Sequence, residues 1–88
     1  MSTHAEAAIH DAWSSHAYDR AFSLMAQHYA SDFYRTALRI VLDHATAQDV
    51  VQDASVKMWR ALPKFKGDSK FSTWAYRIVV NEALGTLR

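Results

Sequence analysis

The sequence predicts an all-α fold, a compact bundle of four to five helices, and three observations predict it. Apolar residues recur three and four positions apart through most of the chain, the spacing that gathers them on one helix face. No segment of useful length alternates with the period of two that a half-buried strand needs. Gly (2) and Pro (1) are too scarce for a turn-rich β protein, and the sole Pro and one Gly fall in the same short stretch.

The elements follow in order. Ala5, Ala8, Ile9, Ala12 and Trp13 predict a short amphipathic helix over the first dozen or so residues. Tyr18, Phe22, Met25 and Tyr29, at i, i+4, i+7 and i+11, form the next stripe. Ser31-Asp32 predicts a boundary, after which Tyr34, Ala37, Leu38 and Val41 mark a third helix. The clearest helix covers residues 46–62, with Thr46 as the expected N-cap and Asp49 at the N3 position of a capping-box-like arrangement. Its apolar face is Ala47, Val50, Val51, Ala54, Met58, Ala61 and Leu62, and its acids precede Lys57 and Arg60, the order the helix dipole favours. Pro63 is expected to stop this helix and to open a loop over residues 63–69. Ser69 or Ser72 is the expected cap of the last helix, whose apolar residues include Phe71, Trp74, Ala75, Ile78, Val79 and Ala83.

With 88 residues the chain holds one domain, and at that size folding buries only about 60 % of the surface the unfolded chain exposes. No cysteine is present, so neither a disulfide nor a Cys-based zinc site can add stability. The N-terminus lacks both the basic region and the apolar core of a targeting signal, and no apolar run approaches a membrane span. A soluble, cytoplasmic protein with no membrane partner is expected. The net charge of +1 conceals a segregation: residues 1–56 carry three Arg against seven acids, whereas residues 57–88 carry seven Lys or Arg against Asp68 and Glu82.

Residues 57–77 are the most informative. Lys57, Arg60, Lys64, Lys66, Lys70 and Arg77 alternate with Trp59, Phe65, Phe71, Trp74 and Tyr76. Basic groups that follow a phosphate backbone, beside aromatic faces that stack on bases, suit single-stranded nucleic acid, at roughly 1–3 kcal/mol per stack. The alternative from composition alone is a solvated basic rim over an aromatic core.

The order of the motifs adds more than their composition. Asp49-Val-Val-Gln-Asp53, Lys57-Met-Trp-Arg-Ala-Leu62, Phe65-Lys-Gly-Asp-Ser69 and Phe71-Ser-Thr-Trp-Ala-Tyr-Arg-Ile78, followed by Asn81, closely resemble region 2 of bacterial sigma factors of the extracytoplasmic-function group (group IV). The resemblance runs from about Tyr18 to Arg88, so residues 18–88 read as a region 2-like domain and residues 1–17 as an N-terminal helical extension that resembles nothing specific. Several roles are implied by this resemblance. Asp49, Gln52 and Asp53 would dock on the β′ clamp helices of the RNA polymerase core, although Asp49 has an alternative role in capping. The loop and the last helix would capture melted non-template bases of the promoter −10 element: Ala61 and Phe65 match a flipped-base pocket, Gly67 allows close backbone approach, Asp68 and Ser69 face base edges, and Asn81 matches a base-reading position. Trp74, Arg77 and Asn81, at i, i+3 and i+7, share one face; Trp74 is open between base contact and core packing, and Phe71 and Ile78 are expected in the core. Lys57, Arg60, Lys64, Lys66, Lys70 and Arg77 would supply phosphate contacts, which set affinity and register more than sequence preference.

Family members usually continue into a second, −35-reading domain, which is absent from this chain, and Glu82 places an acid beside Asn81. An anti-sigma factor is a further implied partner. The function expected is promoter recognition and melting, with a helical protein-interaction module that binds polymerase or an anti-sigma factor as the alternative. No enzyme motif, cofactor or metal is expected: His4, His10 and His16 are six residues apart, which spreads them around a helix.

Overall fold

The computed structural model describes residues 3–88, which form four α-helices and one short 3₁₀ turn. The helices are α1 (Thr3–Ser14), α2 (Tyr18–Val41), α3 (His44–Ala61) and α4 (Phe71–Thr86), with the 3₁₀ turn at Leu62–Lys64. The longest helix, α2, has 24 residues, a length of roughly 36 Å, and so accounts for the 37 Å long dimension of the molecule. The other three helices all pack against α2.

The boundary expected at Ser31-Asp32 is absent. Ala21, Met25, Tyr29, Phe33 and Ala37 form an uninterrupted buried stripe through that point, and its burial outweighs the weak helix propensity of two exposed polar residues. Asp32 also pairs with Arg35 one turn on. The helix ends instead at Leu42, whose left-handed conformation (φ 58°) directs its N–H to the Leu38 carbonyl at 2.8 Å.

Asp43, three residues before the expected Thr46, is the N-cap of α3. Its carboxylate accepts from the Thr46 N–H at 2.8 Å and from the Thr46 hydroxyl at 2.7 Å, and these two bonds hold its carboxyl below the usual value. Thr46 therefore serves as a donor within the first turn. Pro63 ends α3 as expected, since the chain beyond Ala61 tightens into the 3₁₀ turn with Pro63 in its first positions.

Neither Ser69 nor Ser72 caps α4. Lys70 occupies the N-cap position without a side-chain bond, and the cap comes from α1 instead. The Glu6 carboxylate accepts from the Phe71 N–H at 2.7 Å and the Ser72 N–H at 3.1 Å, and also from the Tyr29 hydroxyl at 2.5 Å. Burial alone would raise the Glu6 carboxyl, but the bonds from Tyr29, Ser72 and Phe71 outweigh it and hold the group below its ordinary value. The same arrangement, through burial and the adjacent carboxylate, pushes the Tyr29 hydroxyl well above its ordinary value, so it stays a donor. Among the described residues no buried side-chain polar atom lacks a partner.

Ala5, Ile9 and Ala12 put α1 into the common core, with Ile9 fully buried, beside Met25, Val50, Met58 and Val79. Ile9→Ala is expected to lower unfolding stability by about 2–5 kcal/mol, the range for large-to-small core substitutions, as measured by urea denaturation. Because the folded carboxyl of Glu6 lies below its unfolded value of about 4.5, its stabilisation is present above that pH and fades as pH falls through the folded value. Thermal melts should accordingly show the wild-type Tm falling on acidification below about pH 4.5 more steeply than that of Glu6→Gln, which lacks the titrating group.

Candidate nucleic-acid interface

Most of the residues singled out between Lys57 and Glu82 line two clefts, one between the loop and α4 and one between α3 and α4. One, of about 300 Å³, lies between the loop and α4. Its loop side is formed by Lys64, Phe65, Lys66, Asp68 and Ser69, and its helix side by Trp74 and Arg77. The other, of about 290 Å³, lies between α3 and α4 and is lined by Lys57, Ala61, Ile78, Asn81 and Glu82. Three cations and a half-buried indole thus surround the first cleft, while an amide and an ion pair flank the second.

Local sequence explains why the loop stands where it does. Gly67 has φ +74°, a left-handed conformation that a side chain would strain. Space around it is not the constraint, since an added Cβ would sit 3.6 Å from the Trp13 ring, an ordinary contact. Phe65 turns inward and is only 7 % exposed. Its ring lies 4.6 Å from Phe71, 5.2 Å from Trp74 and 5.5 Å from Trp13, centroid to centroid, in tilted or edge-on arrangements that favour the ring quadrupoles. Phe65 therefore belongs to the aromatic cluster and lines the cleft at the same time. Phe71 is buried, as expected, and Trp74 is half-buried; both pack on Phe65, and Trp74 forms part of the cleft wall.

The face shared by Trp74, Arg77 and Asn81 is divided. Trp74 and Arg77 border the loop cleft and Asn81 borders the α3–α4 cleft, together with Ile78, which is only partly buried. Lys57 is not a free cation: its ammonium pairs with the Glu82 carboxylate at 2.5 Å across the α3–α4 interface. Lys70 is exposed at the N-cap of α4. Arg60 is not gathered with the others. It lines a separate groove with Val56, Trp59 and Pro63, in which Val56 and Trp59 are 46 % and 44 % exposed.

Asp49, Gln52 and Asp53 are all exposed on α3, with Asp49 one turn before the adjacent Gln52 and Asp53, on the helix surface that also carries Val56 and Arg60. Sequence reasoning missed the contribution of α1. Glu6 and Trp13 lie two turns apart on the side of α1 that also carries Ile9, and both reach the loop: Glu6 through the α4 cap, and Trp13 by donating its indole N–H to the Leu62 carbonyl at 3.0 Å. The available signal was an acid at i, i+3 and i+7 with Ile9 and Trp13, on the border of an apolar stripe. Among the described residues, no three His, Asp or Glu side chains come together to hold a metal ion, and no helix is long and apolar enough to cross a membrane.

Comparison with known proteins places these features. The family described as sigma-70 region 2 matches residues 25–88, which include both clefts and the acidic surface of α3. The RNA polymerase sigma-H factor of Pseudomonas aeruginosa is 47 % identical over 64 residues, 73 % of this chain and 33 % of that protein. The ECF RNA polymerase sigma-E factors of Escherichia coli K12 and Salmonella typhimurium LT2 are 44 % and 42 % identical over the same length, with the same coverage. The chain spans about a third of the length of the curated relatives it matches. With the match covering nearly three quarters of its residues and an all-helical fold built around them, the chain belongs to the sigma-70 region 2 family.

Proposed function

We propose that this chain serves as the region 2 portion of an alternative RNA polymerase sigma factor, recognising and melting the promoter −10 element. The observation that carries the reading is the pair of clefts along α4, one against the loop and rimmed by Lys64, Lys66 and Arg77, the other against α3 and presenting Asn81. Residues 18–88 make the region 2-like part and residues 1–17 an N-terminal extension, whose helix is α1; residues 1–2 lie outside the described residues. Unstacked non-template bases enter the clefts, where Trp74 offers a partly exposed ring and Asn81 an amide with both donor and acceptor. Ala61, Phe65 and the Gly67-Asp68-Ser69 segment shape the walls, while Lys64, Lys66, Lys70 and Arg77 neutralise phosphates, with Arg60 at the margin and Lys57 held by Glu82. Asp49, Gln52 and Asp53 dock on basic side chains of the β′ clamp helices in the polymerase core. The polymerase carries out the chemistry and the domain supplies specificity.

The exposed Val56–Trp59–Pro63 groove beside Asp49, Gln52 and Asp53 also supports the alternative, a protein-interaction module that binds polymerase or an anti-sigma factor without reading DNA. Fluorescence anisotropy with a labelled, randomised 12-nucleotide DNA single strand separates the two, with and without polymerase core. Under the first reading, binding is salt-sensitive and stronger than to the corresponding duplex. Asn81→Ala, an exposed substitution, then weakens recognition by about 1–3 kcal/mol, the value of a good side-chain–base contact. No binding at low salt, even with core present, favours the alternative.

The Lys57–Glu82 pair yields a second expectation. Glu82→Gln frees Lys57, so single-strand binding should tighten and its log–log salt dependence should steepen by about 0.7, the increment for one more phosphate contact. Adding Lys57→Gln to that variant should return both quantities to the wild-type values, as read by anisotropy across a salt series.

A further inference from the structure

We infer that α1 is the positioning element of the loop cleft, with Glu6 and Trp13 as its positioning residues. This rests on the reading of that cleft as a site for unstacked bases. The loop between Leu62 and Phe71 makes few bonds of its own: the Phe65 N–H reaches the Leu62 carbonyl at 3.2 Å, and the Ser69 hydroxyl reaches the adjacent Lys70 carbonyl at 3.3 Å. Its shape is held from outside, and α1 holds it at three places. At the start, the Trp13 indole N–H binds the Leu62 carbonyl. At the end, the Glu6 carboxylate binds the Phe71 and Ser72 N–H groups. In the middle, Gly67 sits beside the Trp13 ring, close enough that an added Cβ would meet its edge at 3.6 Å.

Glu6 and Trp13 are seven residues apart, two helical turns and roughly 10 Å along α1, so one rigid face of a single helix spans both ends of the loop. The coupling to the cleft runs through packed rings. Trp13 meets Phe65 edge-on at 5.5 Å, and Phe65 in turn meets Trp74 at 5.2 Å, the partly exposed wall. Displacing Trp13 moves Phe65, and Phe65 sets where Trp74 stands. A recognition site needs its walls held to about half an ångström, which a loop with so few bonds of its own cannot supply. Neither Glu6 nor Trp13 lines either cleft, so their effect on base recognition is indirect. Both also precede the segment matched by the family, which starts at residue 25.

The test selects strands from a randomised 12-nucleotide DNA single-strand pool on the 88-residue chain, in parallel with and without polymerase core, and sequences the bound fraction. Circular dichroism at the selection temperature confirms that each variant is helical. Glu6→Gln and Trp13→Phe are expected to lose about tenfold in preference for the favoured base, the scale of one base contact, while the salt dependence of binding stays at the wild-type slope. Loss of folded protein would lower the bound amount without flattening the base preference, so the sequence readout distinguishes positioning from stability. Glu6→Asp, which keeps the charge and both acceptor oxygens, should restore part of the preference. Should Glu6→Gln fail to stay helical, Trp13→Phe, which keeps a ring in the cluster, carries the test. Wild-type preference in both folded variants, together with its loss in Asn81→Ala, overturns the positioning role and leaves the base-capture reading standing. A wild-type chain that selects no base in either arm overturns both.

Discussion

The Glu6 carboxylate receives the first two backbone N–H groups of α4 and the hydroxyl of Tyr29, and three of the four helices meet through these bonds. A helix N-terminus buried against other elements must have its N–H groups satisfied, because each unpaired group costs about 1–3 kcal/mol. Here the loop supplies no side-chain cap, since Lys70 cannot accept a bond at that position. The charge that satisfies α4 is therefore borrowed from α1, and the docking of α1 on α2 becomes a condition for the start of α4 to stand where it does.

From that constraint follows the arrangement of aromatic rings beneath the loop. With Phe71 fixed as the first residue of α4 and Trp13 fixed above Leu62, the space between them accepts Phe65 at contact distance of both. The loop then has little freedom: its apolar residue points inward, its lysines point outward, and Gly67 absorbs the left-handed turn. The clefts are thus a by-product of core formation, with walls drawn from residues that also stabilise the fold. Trp74 illustrates this dual use, since one part of its ring packs on Phe65 and another is open to solvent.

Charge is organised on the same scaffold. α3 carries exposed carboxylates in its first half and cations toward its end, an order that complements its own dipole before any partner is considered. The helix surface with Asp49, Gln52 and Asp53 suits a basic partner, and the loop–α4 junction suits a polyanion. Across the α3–α4 interface Glu82 pairs with Lys57, so the formal count of basic residues overstates the charge free to meet phosphate.

Helix content, the loop after Pro63 and the segregation of charge were legible in the sequence, because each follows from residues close together along the chain: apolar spacing of three and four, a missing N–H, and a simple count. The segment between Lys57 and Glu82 lines both clefts because the loop and the two flanking helices are contiguous in sequence. Reading fell short wherever a long-range contact overrode a local preference. Ser31-Asp32 reads locally as a boundary, but the stripe from Met25 through Tyr29 to Phe33 is buried on both sides of it. Ser69 and Ser72 looked like caps because the competing acceptor lies 65 positions away, and Lys57 looked free because its partner lies 25 positions away. The sequence by itself determined which segments are helical and where opposite charges collect, as these are properties of neighbours. Only the tertiary structure decided that Glu6 caps α4, that Trp13 braces Leu62 and that Phe65 is wall and core at once, because hydrogen bonds and ring contacts between distant residues exist only once the helices have packed.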